Sequence, residues 1–465
     1  MSNSIKRNIS YSIVAQVITI CVAFLLNIVV PKFIDETQYA YWQVYILYSS
    51  FVGILHFGIL DGIGLRYAGL DYDQLDKPLV RSQYQALFFA DLLFAFIIAV
   101  FSYLRFSGEY KYIALLVAIS IISKHLFTYN FYIFQITNRI KKYAAFIIVS
   151  NLICMLLTAL FLLLSVNNYI FLCLIDIFCG IFSCFVFCKY NKGLYFGKFI
   201  PFKVFISEFK ENISCGFILL IATWSSMLLL GSTKMFIQKN WDEILFGKIS
   251  FAFSLTSLFL SFVTAVSIVL FPSLKRMAVT ELPNMYLKIR NYLSPVLFSA
   301  LVFYYPIFFI LKKWIPKYEP SLIYLALILP IIVYTSKVTL LTNNYLKAYR
   351  KEKYLLVINV TMLVLSMICV GISTFILNNL KLTLLLAVFF VATRSIVSEV
   401  IVGRLINKRL TCFFIKEFIL VVAFLVSANF FEPQIGFCIY LGCLFVYLTP
   451  YVKKIGCVKK LKKVS

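Results

Sequence analysis

Charge is scarce in this sequence, and acid is scarcest. Only 14% of the 465 residues are charged, with 19 Asp and Glu against 44 Lys and Arg. Soluble domains carry roughly 25% charged residues. A chain this poor in charge, 62% hydrophobic and with a mean hydropathy of +0.93, cannot cover a water-facing surface. Histidine is nearly absent, at two residues, His56 and His125. That offers little to an acyltransferase, which sets a histidine beside a hydroxyl or acid. There is no P-loop, no HExxH and no DxD-like nucleotide-sugar site in a soluble domain. The twelve cysteines include no CxxC pair. Cys179, Cys184 and Cys188 lie near helical spacing in one apolar run and read as small buried residues, because zinc wants tighter ligand pairs. Apolar–polar alternation is missing too. The apolar runs are continuous and about twice the length of a barrel strand.

What is there is a series of long apolar runs. A spanning helix needs about 20 mostly apolar residues. Fourteen such stretches occur, at 10–30, 39–60, 83–104, 112–134, 143–165, 169–188, 213–233, 244–271, 291–311, 321–345, 354–377, 381–403, 411–430 and 435–452. The expected fold is an all-α polytopic membrane protein. The first run is too long for a signal peptide and lacks a small-residue cleavage site, so it reads as a span.

The net charge is +25. In a soluble protein that would point to nucleic acid. Its placement points elsewhere. With Lys381 and Lys416, near the starts of spans twelve and thirteen, counted with the adjoining loops, 31 of the 44 Lys and Arg fall on the side of the N-terminus, nine on the other side, and four deeper within spans: Lys124, Lys248, Lys337 and Arg394. This asymmetry is the positive-inside pattern, with fourteen spans and both termini cytoplasmic. The basic loops then face anionic headgroups, and no nucleic acid is needed.

The chain repeats itself weakly. "KRNIS" (6–10) opens the first span and "KENIS" (210–214) the seventh, and an Asp-Glu pair follows each of these spans. "SKHLFTYNFY" (123–132) and "SKVTLLTNNY" (336–345) fall in spans four and ten, with Asn and Tyr at matching offsets. The common register predicts two six-helix halves of the same orientation, an arrangement common in transporters that alternate access. The expected domains are 1–190, a linker at 191–212, 213–405, and two additional helices with a basic tail at 406–465.

Four segments then carry a resemblance: "VVPKFIDETQYAYWQVY" (29–45), "FGILDGIGLRYAG" (57–69), "VLFPSLKRM" (269–277) and "WIPKYEPSLIYLALILPIIV" (314–333). The chain resembles the polysaccharide flippases of bacterial envelopes, within the superfamily that also holds lipid II flippases and multidrug extruders. That resemblance implies two six-helix bundles in a V around a lipid-lined cavity, plus two extra helices. It implies a non-enzymatic transporter, without cofactor, in the bacterial cytoplasmic membrane. The cargo would be an undecaprenyl-pyrophosphate-linked oligosaccharide of O-antigen or capsule assembly. Partners would be membrane lipids, a polysaccharide polymerase and other glycan-assembly proteins. One departure stands out. Lipid II flippases carry arginines in spans one and two. Here span one has no charge and Arg66 ends span two, which argues against lipid II as cargo. The alternatives are a multidrug or organic-ion exporter, or an integral membrane polymerase or acyltransferase. The buried groups are net cationic, against an exporter of cations, and the short outer loops argue against a polymerase.

An ionisable group at mid-bilayer costs about 2.5–3.5 kcal/mol and usually faces a bundle interior or a watery cavity. Lys124 and Lys337, one from each half, with Arg394 and Arg66, are the candidate cavity cations for a pyrophosphate or acidic sugar. Their structural alternative is pairing with a buried carboxylate. Asp91, Asp176, Glu399 and Asp61 are the candidates for ion coupling or ion pairing. Glu399 is turned about 140° from Arg394 at 100° per residue, so each is expected to find another helix. Lys234 and Lys248 read as snorkelling, and His125 as a packed polar residue. No metal site is expected.

Overall fold

The computed structural model of the protein describes residues 3–67, 70–137, 139–275, 277, 280–408 and 410–461. Ala68 and Gly69 of the second quoted segment, Arg276 of the third, and Lys462 and Lys463 of the tail lie outside the described residues. All regular secondary structure among the described residues is helical.

Among the described residues twelve helices are each long and apolar enough to cross a membrane, and the number of candidate spans reaches fourteen if each of two bent pairs is one span. We number them in chain order. The first six are α1 (Ser10–Phe33), α2 (Glu36–His56 with Ile59–Arg66), α3 (Lys77–Arg105), α4 (Gly108–Ile136), α5 (Ile140–Leu163) and α6 (Tyr169–Tyr190). Next come α7 (Phe202–Asn240), α8 (Glu243–Lys275), α9 (Leu282–Trp314) and α10 (Pro316–Ile328 with Pro330–Ala348). The last four are α11 (Glu352–Ile376), α12 (Leu380–Leu405), α13 (Thr411–Phe430) and α14 (Pro433–Leu461). Side chains cap several of the starts. Asp76 accepts from the Leu79 N–H ahead of α3, where Pro78 needs no partner, and Asn379 accepts from the Leu382 N–H ahead of α12.

Spans two and ten, read as continuous from the sequence, are broken. Phe57 (φ 47°) and Gly58 (φ 85°) take left-handed backbone, and α2 bends there by 59°. Such φ is routine for glycine and uncommon for phenylalanine. In α10 the chain bends by 44° at Pro330, which cannot donate to the preceding turn. Directly after Lys337, residues Val338–Thr342 form a π turn.

The chain folds as two compact units, one of residues 1–227 with 242–247, the other of 228–241 with 248–465. The division falls within α7, not in the 191–212 linker. The core of the first unit gathers Ile59, Ile63, Tyr129, Ile133, Phe134, Phe146 and Phe187, all nearly inaccessible. In this unit the second part of α2 crosses the start of α7 at backbone distance. Gly58 and Gly62 are four apart, and Gly216 of α7 faces them. A Cβ on Gly62 would fall on the Asn212 carbonyl, and one on Gly216 on the Gly58 carbonyl. Small residues at that spacing let helices approach where there is no water to drive them together. The core of the second unit holds Leu282, Tyr286, Leu341, Tyr345, Val402 and Ile406.

Candidate functional site

Three helices of the first unit bring polar groups together at mid-span. Lys124, the seventeenth residue of α4, donates from Nζ to Ser49 Oγ at 2.8 Å and stands 3.5 Å from Asp176 Oδ2 of α6. Tyr45 of α2 donates its hydroxyl to the same carboxylate oxygen at 2.8 Å. The ammonium also lies 5.7 Å from the Tyr45 ring centre. Lys124 and Asp176 keep 33% and 35% of their side-chain surface accessible. An ammonium has three hydrogens. With two partners here, Lys124 keeps one to offer a ligand.

The other candidates of this unit are placed differently. Arg66 is met by Glu208 at 2.8 Å, Glu211 at 3.0 Å and Asn212 at 2.7 Å, all on α7. Two carboxylates therefore offset its charge. Asp61 lines a small cavity of about 300 Å³ with Gly64, Tyr132, Gln135 and Leu219. Asp91 of α3 is buried and contacts His125 of α4 at 2.6 Å.

In the second unit, four charges meet out of contact with solvent. Lys337 of α10 is 1% exposed and pairs with both Glu399 of α12 and Glu417 of α13, the latter at 2.6 Å. Arg290 of α9 is fully buried. It donates from Nε to Glu399 at 2.7 Å and from Nη2 to Glu417 at 2.9 Å. Two cations and two carboxylates close a neutral ring across four helices, with the Phe413 ring 4.4 Å from the guanidinium. Buried charge is tolerable only when paired and hydrogen-bonded. Arg394 is also buried, about 1.4 turns before Glu399 on α12.

The two repeated lysines are thus not equivalent. Lys124 is partly accessible with bonding capacity to spare. Lys337 is enclosed by two carboxylates. Arg290 falls just before the apolar run 291–311, and its place inside the unit comes from α9 starting earlier, at Leu282. Glu417 is hidden beside Lys416 near the start of span thirteen. An acid inside an apolar run is the one local signal that marks Glu417. For Tyr45 and Ser49 no such signal exists. Lys234 lies with its ammonium 5.6 Å from the Phe253 ring centre. Among the described residues no group of three His, Cys, Asp or Glu is arranged to hold a metal ion.

No known protein family and no curated protein matches this sequence. Solved structures match its fold. The lipid II flippase MurJ, in an inward closed conformation, is 14% identical, with TM-score 0.69 over 96% of this chain and 99% of that one. A multidrug resistance MATE family transporter of the MOP superfamily, inward-facing, is 11% identical, with TM-score 0.63 over 83% of this chain and 94% of that one. A MOP superfamily transporter from Pyrococcus furiosus, with a reverse polarity of its binding pocket, is 12% identical, with TM-score 0.51 over 86% and 96%. At such identities the shared property is the fold.

Proposed function

We propose that this chain is a flippase. It would carry undecaprenyl-pyrophosphate-linked oligosaccharide repeat units from the cytoplasmic to the outer leaflet of the bacterial cytoplasmic membrane, by alternating access, for O-antigen or capsule assembly. The observation that supports this most is the reach of the fold likeness. The lipid II flippase is matched over 96% of this chain, which leaves fewer than twenty residues outside and so takes in most of α13 and α14. The MATE transporter leaves out about a sixth. A pyrophosphate headgroup cannot cross hydrocarbon unaided, and Lys124 supplies a partly accessible cation at mid-span. Arg66, Arg394 and Lys337 are lesser candidates for the same task, since Arg66 and Lys337 already face carboxylates. With both termini cytoplasmic, a cytoplasm-negative potential favours outward movement of anionic charge by about 2.3 kcal/mol per charge per 100 mV.

The second reading is a multidrug or organic-ion exporter, favoured by the MATE likeness and by the accessible Asp176 carboxylate. The sidedness of lipid-linked repeat units in cells lacking the protein separates the two. The flippase reading expects them to accumulate on the cytoplasmic leaflet and to be released by the intact gene. Unchanged glycan lipids together with altered drug tolerance would refute it in favour of export. Repeat units that reach the outer leaflet unpolymerised would refute it in favour of a polymerase.

A further inference from the structure

The two histidines face each other in the first unit, ring centres 5.5 Å apart. Their hydrogen-bond partners bear on which nitrogens carry hydrogen. The Gly58 N–H, which can only donate, lies 3.1 Å from His56 Nδ1, so that nitrogen holds a lone pair and His56 is neutral. The Val52 carbonyl oxygen, which can only accept, lies 3.1 Å from His125 Nε2, so that nitrogen carries a hydrogen. The other nitrogen of His125 stands 2.6 Å from Asp91 Oδ1. A contact that short needs a proton between the two atoms, since two lone pairs would repel. Asp91 and His125 therefore share one proton, as carboxylate with imidazolium or as acid with imidazole. Either form is neutral, which suits a pair 0% and 2% exposed. Asp91 Oδ2 is buried without a hydrogen-bond partner. Stripped of the shared proton, this carboxylate would stand charged in an apolar interior.

The other ionisable groups on the surrounding helices have surroundings of their own. His56 of α2 faces the pair directly. Lys124 of α4 and Asp176 of α6 are turned to one another, with Ser49 and Tyr45. Arg81 of α3 donates to the carbonyls of Gly193 and Lys198 beyond α6. Asp61 of α2 lines the separate cavity with Tyr132, and α5 carries its lysines, Lys141 and Lys142, at its first turn.

We infer that Asp91 and His125 form a proton-binding site that clasps the broken second span. The shared proton joins α3 to α4. His125 Nε2 extends the tie to Val52, in the 3-10 segment Phe51–His56 that leads into the bend at Phe57 and Gly58. Release of the proton to water leaves one hydrogen on the imidazole for two acceptors. Held on Nδ1 it stays with anionic Asp91, Nε2 turns a lone pair to the Val52 carbonyl, and the Val52 bond breaks. The clasp is held in the protonated pair and is lost as pH rises through the pair's proton affinity.

Trp224 of α7 reads this segment. Its ring centre lies 6.4 Å from that of Phe51, and its edge lies against Gly53, 3.2 Å from where a Cβ would stand. In the full chain, with Trp42, Trp241 and Trp314 replaced by Phe, Trp224 emission is followed from pH 5 to 10 in lipid nanodiscs. The expected result is a single one-proton transition in emission wavelength. It should vanish in Asp91→Asn, whose amide donates to Nδ1 at every pH. Should that variant fold poorly, ¹⁵N NMR of His125 in the unaltered chain serves instead, with Nε2 losing its proton while Nδ1 keeps one. A flat Trp224 profile in the parent, a transition that Asp91→Asn leaves in place, or a His125 that keeps one protonation state from pH 5 to 10 overturns the inference. None of these measurements involves transport, so its failure and that of the flippase reading are distinguishable.

Discussion

Lys337→Met tests the neutral ring of the second unit. The substitution nearly conserves volume and removes one of two cations that balance Glu399 and Glu417. Two charge-assisted hydrogen bonds are lost, each contributing about 1.5–3 kcal/mol. A buried carboxylate is also left without its counter-charge, and breaking a buried pair on one side costs about 3–5 kcal/mol. The two figures describe the same loss by different routes and agree. Spread over a unit of some 230 residues, at about 2–4 °C per kcal/mol, the unfolding midpoint should fall by about 6–20 °C. Removing one charge of each sign should behave differently. In Lys337→Met with Glu417→Gln the remaining charges, Arg290 and Glu399, still pair at 2.7 Å. The double variant should recover about 1–3 kcal/mol relative to the sum of the single losses, the range expected for groups in one network. The assay is thermal unfolding of the four proteins in one detergent, followed by fluorescence-detected gel filtration. A shift under about 2 °C for Lys337→Met, or strictly additive losses, would refute the ring as one charge-balanced unit.

Three further outcomes follow from the geometry. Lys124→Ala should abolish or strongly slow transport of lipid-linked repeat units at wild-type abundance, with stability changed by about 1 kcal/mol or less, because its pair is only partly buried; transport at the parental rate would remove Lys124 from the pathway. Gly62→Leu and Gly216→Leu should each cut folded yield severely, measured as monodisperse protein per cell, since either side chain would strike the backbone of the crossing helix; Gly442→Leu, where a Cβ meets nothing within 4 Å, is the control. Arg66→Gln should change stability by only about 0–1 kcal/mol, because its carboxylate partners, 27% and 57% exposed, remain solvated once it is gone.

The spans were legible because hydrocarbon imposes a length and a composition that each run satisfies by itself. The breaks were legible only in part. Pro330 announces one, whereas the bend at Phe57 depends on where Gly62 and Gly216 let α7 approach, which is a property of two helices and not of one. Charges were harder, for the same reason. The sequence shows where Lys124 and Lys337 sit on their own helices, and their shared register invites equal roles. What each lysine does is set by the helices that face it. On α6, Asp176 stops 3.5 Å from Lys124 and leaves the ammonium accessible. For Lys337, α12 and α13 each deliver a carboxylate, and α9 delivers the second cation that makes two carboxylates bearable. One of those carboxylates, Glu417, comes from α13, beyond the two repeated halves. A ring that needs α13 to be neutral ties this helix to α9, α10 and α12 more firmly than apolar packing alone would, because withdrawing Glu417 leaves net positive charge buried behind it.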